Sequence, residues 1–541
     1  MKTIKRRVMV VVMSFSLILT SSAQCLYAFQ EEHSPFLTQN KKFVYGGTLT
    51  WGSTNPPLSF NPIVSIQGVS TVIINLIYNR LVRINAKGHI EADLAKEWEI
   101  SPDGLNYIFQ LRQGVHFHNG VELTAKDVVA TFQEIFNPAN QSPFRSSFKV
   151  IKSVRDLDRY KVEISLKEPL PGFLYKLTEC EIGSEHIFRM DQSISELNDH
   201  PVGTGPFKFE SWNKKTNQIV LVANQDYFEG RPYLDKMIIK IFPNSTSLWA
   251  AFMRQEVDMV KFISYEDYDV LAKDGIFKTY AVSSGLYYGI AYNLRDPLMT
   301  KNLRRAIAYA INVKDMIGSN GNNGLISQGP IYQSDTAPEL SNRIEYDPAE
   351  ALRLLKADGW GDQDRDGVLD KSGNSLIIKV LVNSRKTIEL KILKTIRQQL
   401  SEVGIRVEAL YFDPEHEAGV HFISQSKAQA WLKLFIGPSN EAENYEEVMQ
   451  WIPGLGRLED DNGYKNEEVK RIFQLIKSER DDEKRSGLFN RINQIIYDDQ
   501  PVCFLFYPAN FFAVSSRIGN TNEYFTPFMP SYTMKDWRVI K

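Results

Sequence analysis

The sequence predicts a mixed α/β protein built from more than one unit, and three observations carry this. The chain has 541 residues, well beyond the ~250–300 at which a single hydrophobic core stops growing. Strand-like alternation and helix-like periodicity both recur, in irregular order and without the steady βαβ rhythm of a doubly wound sheet. Composition is that of a folded soluble chain: 43% hydrophobic, 24% charged, with 24 Pro and 32 Gly and no fixed internal repeat.

The N-terminus reads first. Lys2, Lys5, Arg6 and Arg7 form a basic start, Val8 to Leu19 is apolar and uncharged, and Thr20, Ser21, Ser22 and Ala23 are small. That order is a secretory signal peptide, expected over residues 1–28, and it implies a periplasmic, extracytoplasmic location. The apolar run is too short for the ~20 residues of a spanning helix. Cys25 raises lipidation, but Ser22 and Gln24 fit a lipoprotein signal poorly, so lipid anchoring is the weaker reading. Losing the four basic residues takes the net charge from −2 to about −6. No strong field draws the chain to nucleic acid, which is not an expected partner. Cys25, Cys180 and Cys503 are the three cysteines, too few for a disulfide scaffold. Cys180 and Cys503 sit in apolar stretches and read as two buried thiols, with pairing left open.

Along the body, Tyr107-Ile-Phe-Gln-Leu111 and Lys161-Val-Glu-Ile-Ser-Leu166 alternate like strands. Leu303, Ala306, Ile307 and Ala310 recur at helical spacing, as do Ile392, Leu393, Ile396 and Leu400, the latter stopping at Gly404. Val469, Ile472, Phe473 and Ile476, then Leu488, Ile492 and Ile496, give two more amphipathic helices. Pro501 ends them, and Val502 to Tyr507 reads as a buried strand. Thr124-Ala-Lys-Asp127 starts a helix, with Thr124 as cap. Val202-Gly-Thr-Gly-Pro-Phe207 is a Gly/Pro turn, expected to let the chain cross between lobes.

Several motifs follow one another in a familiar order. They are Leu94-Ala-Lys-Glu-Trp98, Ser101-Pro-Asp-Gly104, Leu111-Arg-Gln-Gly-Val-His-Phe-His-Asn-Gly120, Pro201-Val-Gly-Thr-Gly-Pro-Phe207, Asn224-Gln-Asp-Tyr-Phe-Glu-Gly230, Arg304-Arg-Ala-Ile-Ala-Tyr-Ala-Ile311 and Gly404-Ile-Arg-Val407. Over residues 44–515 the chain resembles the bacterial solute-binding proteins of family 5, the oligopeptide-, dipeptide- and nickel-type binding subunits of ABC importers. The resemblance implies the two-lobe periplasmic-binding-protein fold (type II, cluster C), with an extra sub-domain inserted in the first lobe. Carried over, lobe I takes residues 44–75, 170–287 and 511–541, the inserted sub-domain 76–169, and lobe II 288–510. Crossings are expected near residues 287–293 and 508–513. The implied function is capture of a short peptide or peptide-like solute by hinge closure, for delivery to a membrane permease. The chain is expected to act as a monomer, without cofactor or catalysis. Opines, sugars and metal chelates are the alternative ligands.

The resemblance also implies ligand contacts. They are Asn55 and Leu58 on the first-lobe wall, Phe144 and Arg145 in the inserted sub-domain, Trp249 on a lobe I helix, Tyr287 and Tyr288 at the hinge, and Phe412, Phe435 and Glu441 in lobe II. Peptide-binding relatives pair the ligand ammonium with an Asp; Pro438 falls there in this chain. The departure weakens an ordinary peptide reading, because a buried ammonium without a counter-charge is costly.

The sequence offers three other chemistries. Asp362-Gln-Asp-Arg-Asp-Gly-Val-Leu-Asp370 opens like a calcium loop, but Gly373 stands at the twelfth position, where a bidentate Glu is expected. His116 and His118 alternate on a strand, and His416 precedes His421 by five, with no third ligand converging; no metal is assigned. Ser211-x-x-Lys214 and Ser424-x-x-Lys427 match a serine-hydrolase motif without its companion motifs, which leaves a secreted hydrolase as the rival class.

Overall fold

The computed structural model describes residues 45–540 except 65–67, 190–199, 284–285, 320–323, 331–339, 341–342, 414–427, 437–461, 480 and 527–528. The expectations for residues 1–28, His416, His421, Ser424, Lys427, Pro438 and Glu441 lie outside the described residues. Among those described, no helix is long and apolar enough to cross a membrane.

Among the described residues, three sheets of four or more strands organise the fold. The seven-stranded sheet runs in the order Phe277–Ser283, Ala509–Ser515, Met259–Ile263, Thr48–Ser53, Lys236–Ile241, Gln218–Ala223, Phe207–Asn213. Thr48–Ser53 is parallel to both its neighbours. The six-stranded sheet runs Leu325–Ile326, Val502–Tyr507, Leu286–Tyr292, Ala430–Ile436, Ile377–Asn383, Arg406–Phe412. A four-stranded antiparallel sheet holds Ala95–Ile100, Asn106–Leu111, Lys161–Leu166 and Ile151–Asp158. It packs with the Ala125–Phe136 helix around Phe109, Leu111, Val128, Phe132 and Ile164.

Strand character follows coverage. In Leu286–Tyr292 every residue after Leu286 is buried, because helices cover both faces and neither side tolerates a polar alternation. On one face Tyr288 and Ile290 meet Leu303, Ile307, Leu355, Ile392 and Ile396. On the other, Tyr287 and Ala291 meet Val469, Phe473, Ile492 and Ile496. Each such aliphatic side chain contributes about 1.5–3 kcal/mol on burial. Cys180 and Cys503 belong to different cores and are free.

Local signals terminate the elements as the residues demand. The Thr124 N–H and hydroxyl both donate to Asp127 Oδ2, at 2.7 and 3.1 Å, closing the start of the Ala125–Phe136 helix. After Thr387–Ser401, Gly404 adopts φ +76°, which lets the Ile405 N–H return to the Leu400 carbonyl at 3.0 Å.

The Val202-Gly-Thr-Gly-Pro-Phe207 turn departs from expectation. It does not pass between the two large sheets; it packs on the end of the Gly68–Ile77 helix and feeds the Phe207–Asn213 edge strand. The Gly205 N–H donates to the Ile77 carbonyl at 2.7 Å. A Cβ at Gly203 would stand 2.1 Å from that carbonyl oxygen. The glycines serve close backbone approach, a need that sequence alone cannot separate from a crossing.

Charge is buried beside this turn. Arg83 donates to Glu91 at 2.7 Å and Glu229 at 2.9 Å, lies 3.9 Å from Asp93, and sits 3.9 Å over the Tyr532 ring. Burial raises the Asp93 carboxyl to about 6 against the pull of Arg83.

Candidate functional site

The site follows from where the strands end. In the seven-stranded sheet, the parallel strands finish at Ser53, Ile241 and Ile263. Ser283 joins them, paired with Ala509, while Ile263 pairs with Phe511. In the six-stranded sheet, Leu286 pairs with Ile436, Leu325 with Tyr507, and Asn383 with Phe412. The chain leaves the first sheet at Ser283 and enters the second at Leu286; it returns from Tyr507 to Ala509 with Pro508 between. The two sheets are therefore joined twice along one edge of each, and on the first sheet that edge collects the carboxyl ends of its parallel strands. Open α/β sheets bind ligands outside such strand ends.

The expected site residues divide into an exposed and a buried set. Asn55 and Leu58 follow the end of Thr48–Ser53 and are exposed, Leu58 at 77%. The Leu58 N–H is held by Ser70 Oγ at 2.9 Å, and the Asn55 N–H by Ser53 Oγ at 3.1 Å. Arg145 is exposed and Trp249 half-buried, its ring 6.0 Å from Phe252. The other aromatics are packed inside. Phe144 lies in the core of the four-stranded unit, 6.5 Å from Phe148. Tyr287 stacks on Phe435 at 4.9 Å, Tyr288 tilts against Phe506 at 5.5 Å, and Phe412 meets Trp431 edge-on at 6.2 Å. Burial raises the Tyr288 hydroxyl to about 12. These rings belong to separate hydrophobic cores and do not form one exposed surface.

Sequence reasoning missed Phe262. It is 69% exposed at the end of Met259–Ile263, with φ +57°, at an irregularity where the pairing with Ala509–Ser515 shifts. A bulky side chain in the left-handed region is rare and costs of order 1–3 kcal/mol. Its ring lies 5.6 Å from Phe512, and Tyr265 and Tyr268 stand 5.7 and 4.8 Å from Phe511 beside it. On the second sheet the same edge exposes Leu325 at 57% and carries the Arg385–Asp413 ion pair at 2.7 Å. Apolar side chains left in water with a few charges among them suit a ligand held mainly by contact.

His118, Ser211 and Lys214 are among the described residues of the histidine and serine motifs. His118 Nε2 lies 3.0 Å from the Gly205 carbonyl and its Nδ1 accepts from the Gly203 N–H at 3.4 Å, so both ring nitrogens serve the turn. Burial lowers this imidazole to about 4, keeping it neutral. Ser211 ends up exposed on an edge strand, and Lys214 lies 4.8 Å over the Trp212 ring. A cavity of about 250 Å³ near Asn312, Ser327, Arg343 and Phe504 is lined by six-stranded-half residues alone and falls below the ~300–1,000 Å³ of usual ligand pockets.

Comparison with known proteins gives one answer. The family described as bacterial extracellular solute-binding proteins, family 5 Middle, matches residues 89–445. Oligopeptide-binding protein AppA of Bacillus subtilis is 28% identical, with 92% of each chain covered. Its structure in complex with a nonapeptide superimposes with TM-score 0.65 and 27% identity, covering 92% of this chain and 100% of that one. DppA from Helicobacter pylori, in complex with the peptide STSA, gives TM-score 0.67 at 25% identity, covering 92% and 99%. Heme-binding protein A of Haemophilus influenzae is 24% identical over 87% of this chain and 89% of its own.

Proposed function

The chain belongs to family 5 of the bacterial extracellular solute-binding proteins, and from that premise we propose that it is the substrate-binding component of an ABC importer, capturing a short peptide or peptide-like solute. Lobe I is built on the seven-stranded sheet, lobe II on the six-stranded sheet, and the inserted sub-domain on the four-stranded one. The ligand sits at the joined strand ends, between Leu58 and Phe262 on one side and Leu325 with Arg385 and Asp413 on the other. The family consists of binding proteins, and the mechanism needs no nucleophile. A ligand touching both lobes favours the closed state by the contacts made only there, and the closed pair of lobes is what a membrane permease recognises. Residues 1–28 export the chain to the periplasm, where it works as a monomer.

One observation carries the reading: two sheets joined twice at one edge, with large apolar side chains left exposed there. The test begins with mass spectrometry of whatever co-purifies with the protein, followed by calorimetry with the identified cargo. Phe262→Ala is expected to weaken binding about tenfold, equivalent to ~1.4 kcal/mol, without lowering the melting temperature. Unchanged affinity removes the strand-end site.

Pro438, at the position of the relatives' ammonium-pairing Asp, favours a second reading in which the solute is not an ordinary peptide. With a cationic cargo, Glu441→Gln should weaken binding; an unaltered dissociation constant would exclude Glu441 as the replacement anchor.

A further inference from the structure

We propose that loop 362–370 is a calcium site of the lobe II scaffold, separate from the ligand site. The loop connects the Pro348–Ala357 helix to the Ile377–Asn383 strand. It brings one carboxylate oxygen each from Asp362, Asp364 and Asp370 within 4.8 Å of one another. Asp362 and Asp364 are exposed, which by itself would be an ordinary acidic turn. Asp370 is different. It is 7% exposed, and its Oδ2 is buried with no hydrogen-bond partner among the described residues. A buried carboxylate oxygen without donor or counter-charge is costly, and two further carboxylates beside it add repulsion.

Two nearby bases are turned elsewhere. Arg406 donates to Asp366 Oδ2 at 3.2 Å, and Lys371 donates to the Asp358 carbonyl. Asp366 is withdrawn from the cluster, its Oδ1 accepting from the Val368 N–H at 2.8 Å. Asp362 Oδ2 accepts from the Gly367 N–H at 3.3 Å and Asp364 Oδ1 from the Asp366 N–H at 3.1 Å, so the buried Asp370 Oδ2 is the oxygen that a cation among the three would satisfy.

The chemistry selects the ion. The three side-chain donors are hard oxygens, as calcium and magnesium prefer. Oxygens within 4.8 Å of one another can share either ion; calcium is favoured because it accepts an irregular shell of six to eight oxygens, whereas magnesium demands a near-ideal octahedron and keeps most of its waters. Gly373 at the twelfth position argued against calcium in the sequence; Asp370 at the ninth supplies a carboxylate instead, on the Asp370–Lys371 strand of a short hairpin.

Position separates this ion from the cargo. The loop is tied to the start of the Arg406–Phe412 strand through the Leu369 N–H to the Gly404 carbonyl at 2.9 Å. The ligand edge is at that strand's other end, Phe412, roughly 20 Å away at ~3.3 Å per residue. A cation there clamps a helix–strand corner.

The experiment uses the full chain, stripped with EDTA and titrated with calcium chloride by calorimetry. Terbium luminescence sensitised through Trp360, two residues before Asp362, is a second readout. The expected result is one ion per chain, with a dissociation constant of about 10⁻⁴–10⁻³ M as in extracellular modules. The melting temperature should rise with calcium and less with magnesium. Asp364→Asn, at an exposed position, should leave the calcium-free melting temperature unchanged while weakening the ion about tenfold or more; Asp370→Asn should abolish binding. No heat, no terbium signal and no thermal shift up to about 10 mM calcium overturns the proposal, as does a full response in Asp364→Asn.

Discussion

Two buried groups test how single side chains shape this protein. His118 is held neutral, its imidazole lowered to about 4 from an ordinary 6.5. Below about 6.5 the unfolded chain takes up a proton that the folded one refuses, so stability is lost as pH falls from about 6.5 to about 4. The loss is on the order of 2 kcal/mol for this partly screened ring. His118→Gln should flatten that window in urea melts at pH 4.5 and 7; an unchanged slope assigns it to other groups. Arg83 faces Glu91, Asp93 and Glu229 with its guanidinium over Tyr532. Arg83→Met leaves those carboxylates uncompensated and should cost about 3–5 kcal/mol, read as a lowered urea midpoint. Residue identity alone placed neither group in its surroundings. Phe262 was equally hidden: its left-handed backbone and exposure come from a pairing irregularity that no local residue announces. Conversely, Tyr287, Phe412 and Phe435 look alike in sequence whether they face a ligand or a core, and the structure packs all three among other aromatics.

At the scale of elements, two glycine classes should part company. Gly203 and Gly205 lie against the Ile77 backbone, where an added Cβ would come within 2.1 and 2.5 Å. Gly203→Ala or Gly205→Ala must push two segments apart, at an expected cost upwards of about 2 kcal/mol. Gly487 lies inside the Asp482–Asp499 helix with nothing within 4 Å of a new Cβ, so Gly487→Ala should stabilise by about 0.5–1 kcal/mol. Thermal melts of the three variants decide it; equal effects would mean that the turn is not tightly docked. Periodicity and caps made most elements legible: the helices around Leu303, Ile392, Val469 and Ile492, and the Val502–Tyr507 strand, fall where apolar spacing places them. The Gly-Thr-Gly turn was legible as a turn, but its docking partner, more than a hundred residues earlier, was not.

For the whole molecule, irregular alternation of strand and helix signals pointed to a mixed α/β chain, and the ordered motifs pointed to the two-lobe family; the comparisons agree with both. Strand order, and with it the shared edge at Ser283, Leu286, Tyr507 and Ala509, depends on long-range pairing that local patterns do not encode. That edge is the premise of the proposed closure. Two passages so near each other, one of them the single residue Pro508, suit the hinge that the proposed closure requires. The most direct test is small-angle scattering of ligand-free protein and of protein saturated with its identified cargo. Capture between moving lobes requires the radius of gyration to fall on loading; identical scattering curves, with cargo bound, would contradict closure.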